Sequence, residues 1–245
     1  MRVFRNALLA SIAVAATVGS AMASIPAVSV RIEQVGTGSV TINPAGSAIE
    51  GGYGYSANLN LWDLQSSFTL NSTTSPTTNN NAFGGSFRLK NTSALVQQFV
   101  IDMTVTNDPF SGNSLAGGSV GGTLLGGPNG GLFSGVGSGP VWQAIINRPE
   151  GSTTIAGLLT GSPFLVTTPA DTAASIARQF FGNDPFIPSQ PIGALGTSRT
   201  IRMQFLLGAG SEVILVTNFV VQVPAPGAVA LLWLAGLAGR RRRHN

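Results

Sequence analysis

Hydrophobic and polar residues alternate along seven stretches of the chain: Ala27 to Val35 (AVSVRIEQV), Gly38 to Ile42 (GSVTI), Ser56 to Trp62 (SANLNLW), Ser86 to Asn91 (SFRLKN), Gln97 to Asn107 (QQFVIDMTVTN), Thr200 to Leu207 (TIRMQFLL) and Glu212 to Val223 (EVILVTNFVVQV). In the fifth, Phe99, Ile101, Met103 and Val105 share one face while Asp102, Thr104 and Thr106 share the other. That is the period of a half-buried antiparallel strand. Clusters of Gly, Pro, Asn and Ser separate the runs at short intervals, and SPTTNNNAF (Ser75 to Phe83) has the composition of a hairpin or loop tip. The pattern predicts a mainly β body, an antiparallel β-sandwich of jelly-roll-like character.

Two stretches break the alternation. TPADTAASIARQFFG predicts one short helix: Thr168 caps it, Pro169 fits its first position, Asp171 gives a capping-box-like spacing and Gly182 stops it. Between Gly112 and Gly139 glycine dominates, with pairs at 117/118, 121/122, 126/127 and 130/131. No Lys-Ser/Thr ending marks a phosphate loop and no acid lies between Asp108 and Glu150, so the expectation is an irregular loop with short strand fragments.

Both ends differ from this body. The segment 1–23 combines Arg2 and Arg5, the apolar run Ala7 to Val18, and small residues at Ala21 and Ala23. These are the three parts of a secretory signal, with cleavage expected before Ser24. At the other end, Pro224 and Pro226 deny backbone donors and terminate the last strand, after which Gly227 to Gly239 is apolar and uncharged. A helix over that stretch is about 20 Å long against a hydrocarbon core of about 30 Å. It is short for a stable span unless Arg240, Arg241, Arg242 and Arg243 reach toward headgroups. Those four arginines, like Arg2 and Arg5, place the termini on the cytoplasmic side of a membrane.

PAPGAVALLWLAGLAGRRRR resembles the C-terminal sorting signal of bacterial PEP-CTERM proteins, a short Pro-x-Pro motif followed by an apolar helix and an arginine cluster. The resemblance covers the segment 224–245, together with the signal peptide, and says nothing about the body. Ala225 stands where the family usually has Glu. The resemblance implies that an exosortase reads Pro224, Ala225, Pro226 and Gly227, cuts near them, and delivers the protein to the cell surface or to extracellular polysaccharide. The expected division is therefore a signal peptide (1–23), a β-sandwich ectodomain (24–223) and a sorting signal (224–245) with a transmembrane-like helix (227–239). Signal peptidase, the secretion machinery and the membrane are the partners expected at those ends.

Charge changes one conclusion. The chain carries 13 Lys and Arg against 9 Asp and Glu, but six of those arginines lie in the two ends, leaving seven cations against nine acids in the body. A basic surface for nucleic acid loses its support, and no nucleic-acid partner is expected. The chain has no cysteine, and its one histidine, His244, lies beyond the body. Disulfides, Ser-His-Asp catalysis and His-ligated zinc are excluded from the body. Two carboxylates at about 5 to 9.5 Å would suffice for glycoside hydrolysis, but no spacing singles out a pair.

The sequence therefore points to an exported protein, structural or adhesive and not catalytic, with no cofactor. Two further readings stay open. Tyr53, Tyr55 and Trp62 could stack on sugar rings, as in a carbohydrate-binding module or a β-sandwich glycoside hydrolase, or could simply pack. NDPF occurs at Asn107 to Phe110 and again at Asn183 to Phe186. Each copy is a turn former, while Asp108 and Asp184 could also donate oxygens to calcium. Asn71 and Asn91 begin glycosylation-type tripeptides, which are frequent by chance in such a composition.

Overall fold

The structure, a computed structural model, describes residues 25–75, 79–183 and 187–223. Among them the chain forms strands and no helix: β1 Val28–Gln34, β2 Gly38–Ile42, β3 Gly46–Ile49, β4 Gly52–Leu61, β5 Leu64–Ser75, β6 Asn80–Asn91, β7 Gln97–Thr106, β8 Phe110–Leu125, β9 Gly131–Gly135, β10 Trp142–Arg148, β11 Gly151–Leu158, β12 Leu165–Thr168, β13 Ala173–Phe181, β14 Gln190–Leu195, β15 Ser198–Leu207 and β16 Glu212–Gln222. All seven alternating runs fall on strands. The signal and sorting segments lie outside the described residues.

The strands form two antiparallel eight-stranded sheets packed as a β-sandwich. One, here the charged sheet, runs β11-β10-β15-β7-β1-β2, with β9 joining β15 to β12. The other, the amide sheet, runs β13-β8-β16-β6-β5-β4-β3, with β14 also on β8. Inward residues of both meet in one core. From the charged sheet come Val30, Ile32, Phe99, Ile101, Met103, Trp142 and Phe205, and from the amide sheet Leu64, Leu70, Phe83, Phe87 and Phe219, each at most 2% exposed. Trp142 shows why burial here is compatible with an N–H group. Its Nε1 donates across the sandwich to Thr217 Oγ1 at 2.7 Å, and the Thr217 hydroxyl donates in turn to the Ser119 carbonyl at 3.0 Å.

The expected helix at 168–182 is a strand instead. β12 ends at Thr168, a turn follows, and β13 pairs with β8 with a register shift between Ile176 and Gln179. That bulge adds one residue to the alternation, so the inward positions are Ala174, Ile176, Gln179 and Phe181. A 2-3-2 spacing imitates helical periodicity, and the ladder to β8, invisible to local propensity, decides the outcome.

The glycine-rich stretch is also not an irregular loop. Most of its first half is β8, the longest strand, held between β16 and β13. Its glycines are there for room. A Cβ on Gly118 would lie 2.6 Å from the Asn218 carbonyl oxygen and 2.7 Å from the Phe181 ring, and one on Gly122 would lie 2.0 Å from the Ile214 carbonyl oxygen. Only a strand without side chains at these points fits so close to its neighbours and under Phe181.

The sandwich has two distinct poles. At one, Val28 pairs with Val105 and Gln222 with Asn80, and Arg199 reaches from β15 to the Asn81 carbonyl at 2.7 Å. Both ends of the described body leave there. At the other, three turns are tied together: Gln34 Nε2 donates to Asp63 Oδ2 at 2.7 Å, the Asp63 N–H donates to Gln34 Oε1 at 3.2 Å, and the Thr92 N–H donates to the Asp63 carbonyl at 2.7 Å.

Candidate functional site

The outward side of the charged sheet is occupied by its own side chains. Antiparallel register sets Arg202 beside Asp102 and Asp102 beside Arg31. Arg202 donates Nε and Nη2 to the two Asp102 oxygens at 2.6 and 2.9 Å, a bidentate pair that holds its guanidinium above the ordinary range. Arg31 closes the group, with Nη1 3.5 Å from Asp102 and Nη2 donating to Glu33. One row away, Thr104 and Thr200 share a hydrogen bond at 2.7 Å, and Asn147 donates to Ser198 and Thr200 at 2.9 Å.

The outward side of the amide sheet is different. Along one row, register aligns Asn60, Gln65, Lys90 and Glu212; along the next, Asn58, Ser67 and Arg88. These residues line a shallow trough of about 430 Å³. Glu212 stands opposite Lys90, yet its carboxylate takes Nε and, at 3.1 Å, Nη2 of Arg88. That bond holds Arg88 above its ordinary range. Among the described residues the side chains of Asn58, Asn60, Gln65, Ser67 and Lys90 make no hydrogen bond or ion pair. The trough thus offers amides, a hydroxyl and a free ammonium to whatever lies over it.

The residues singled out from the sequence scatter. Tyr55 belongs to the core at 2% exposure, with its hydroxyl donating to the Pro26 carbonyl and its ionisation pushed up by burial and by nearby Tyr53. No sugar can reach its ring. Tyr53, half-buried, packs against the same core. Trp62 opens the turn between β4 and β5, 44% exposed, and its ring lies on Gly38, where a Cβ would come within 3.0 Å. Its φ is +49°, a left-handed backbone that costs a bulky residue roughly 1 kcal/mol or more. The three aromatics therefore form no common platform, and only Trp62 presents a face.

Asp108 is exposed in the connection between β7 and β8, while Asp184, Ala21, Ala23, Ser24, Pro224 to Gly227 and Arg240 to Arg243 lie outside the described residues. Among the described residues no three His, Cys, Asp or Glu side chains gather to hold a metal. Asn91 is fully buried, and its Nδ2 donates to the carbonyls of Leu95, Leu207 and Gly208 at 2.7 to 3.0 Å, so it is a structural brace and no glycan acceptor.

Sequence reasoning misses the trough. Half of its signal is there: Asn58 and Asn60 alternate with Leu59 and Leu61, and Arg88 and Lys90 with Phe87 and Leu89. What local pattern cannot supply is the register that brings Glu212 from the last strand to Arg88 and Lys90 of β6.

No family model matches the chain, and no curated protein matches it. Among solved structures it overlaps the enzymatically active domain of tailspike protein 4 of bacteriophage CBA120 at 8% identity and a TM-score of 0.23, covering 67% of this chain and 18% of that one. The infectious bursal disease virus VP2 subviral particle overlaps at 12% identity and a TM-score of 0.16, covering 89% of this chain and 70% of that one. Overlaps this slight carry no argument about fold or activity.

Proposed function

We propose that the chain is an exported surface or extracellular-matrix protein, structural or adhesive and not catalytic, led out by its segment 1–23 and sorted through its segment 224–245 by an exosortase-type enzyme. One observation supports this most: both ends of the body leave from a single pole, so a tether at either end leaves the opposite pole and both outer faces clear. The engagement of Asp102 and Glu212 by arginines supports the non-catalytic part, since a carboxylate held bidentately is poorly placed to carry protons. Mass spectrometry of the mature protein with cell fractionation tests the reading. The expected result is an N-terminus at Ser24, a C-terminus near Pro224 to Gly227, and recovery from the cell surface or matrix. An uncut C-terminus in purified membranes overturns sorting in favour of a one-helix anchor.

The second reading, a carbohydrate-binding module or glycoside hydrolase delivered to the surface, draws on the exposed indole of Trp62. In its binding form it is compatible with adhesion and needs no catalytic pair.

A further inference from the structure

We propose that the trough formed by Asn60, Gln65, Arg88 and Lys90 binds an acidic polysaccharide, a polymer of hydroxyl-rich units bearing carboxylates. The setting rests on the surface-protein reading; the chemistry rests on the trough alone.

Three observations converge on this ligand. First, a sugar unit presents hydroxyls that both donate and accept, and side-chain amides do the same. Asn58, Asn60 and Gln65 are exposed here, and no protein partner competes for them among the described residues. Second, the charge is right. Arg88 satisfies Glu212 through Nε and Nη2 and its side chain remains 63% exposed, with Nη1 unbonded, while Lys90 has no ion-pair partner among the described residues. Two cations over one neutralised carboxylate form a local positive site on a body with more acids than bases, and that draws anions to this place. Third, the shape suits a polymer. The row from Asn60 to Glu212 crosses four neighbouring strands, about 14 Å at about 4.8 Å per step, and is open along its length, so it accepts an extended chain and cannot close around a small molecule.

The test uses the full-length chain with Arg240, Arg241, Arg242 and Arg243 replaced by Gln, so that the tail does not attract polyanions, and measures binding to immobilised alginate with neutral dextran alongside. The parent is expected to bind alginate in a salt-sensitive way and not to bind dextran. Lys90→Ala and Gln65→Ala are each expected to weaken alginate binding about tenfold, which corresponds to about 1.4 kcal/mol. Both variants should melt with the parent, since neither side chain bonds to the protein among the described residues; a loss of binding is then no loss of fold. No retention on alginate, equal retention on dextran, or parent-like binding by both variants overturns the proposal. Such a failure leaves the sorting reading intact, because that is judged on the mature termini. Mis-sorting with intact binding would do the reverse.

Discussion

The two outer faces of this sandwich carry similar residue types and spend them differently. On the charged sheet, Asp102 sits between Arg202 and Arg31, and Thr104, Thr200, Asn147 and Ser198 bond to one another. On the amide sheet, Asn58, Asn60, Gln65, Ser67 and Lys90 bond to nothing in the protein among the described residues. A face whose polar groups satisfy one another contributes to holding the fold and has little left for a partner. A face whose groups are left to solvent contributes little to stability and keeps its hydrogen-bonding capacity for a ligand.

Mutations should separate the two faces. The largest effect is expected from Asp102→Ala, which leaves two partly exposed guanidinium groups side by side without the carboxylate between them; denaturant unfolding should show a loss of about 2 kcal/mol. A loss under about 0.5 kcal/mol, the ordinary surface value, would erase the distinction between the faces. Next comes the interior between them. Arg199 is buried without an acidic partner, and desolvation pulls its guanidinium down to about 10. Because the folded value is lowered, the buried charge works against folding at every pH below about 10, and that penalty fades as pH rises beyond it. Arg199→Met should therefore raise stability at pH 7 by about 1 to 3 kcal/mol, tempered by the donor that the Asn81 carbonyl loses. The gain should narrow above pH 10, and thermal melts at the two pH values check both signs; a variant less stable at pH 7 would show that the interior uses this charge. The smallest effects belong to the amide sheet, where Asn60→Ala and Gln65→Ala should each move stability by less than about 0.5 kcal/mol. A larger loss in either would mean that this face, too, holds the fold.

How much of this is legible in the sequence follows from what each element depends on. The strands with clean alternation, such as β7 with Phe99, Ile101, Met103 and Val105, are plain because a half-buried strand writes its own period. β8 is not, since its glycines answer to the backbone of Ile214 and the ring of Phe181, neither of which is near in sequence. β13 misleads because its bulge between Ile176 and Gln179 counterfeits a helical step. Of the aromatic trio, nothing local distinguishes Tyr55, whose ring turns into the core, from Trp62, which sits on a turn. The trough has legible parts and an illegible assembly, because Glu212 arrives with the last strand.

That last strand sets the timing of folding. β16 lies inside the amide sheet, paired along its whole length with β6 on one side and β8 on the other. Until residues 212–222 are present, β6 and β8 have no common neighbour, and the amide sheet exists only as two separate pieces with exposed edges. Non-local pairing of this kind is slow to form. The body cannot close as the chain emerges from its N-terminal end; closure waits for a segment that ends just short of Val223. Chains cut short before Glu212 are expected to present unpaired edges and to aggregate.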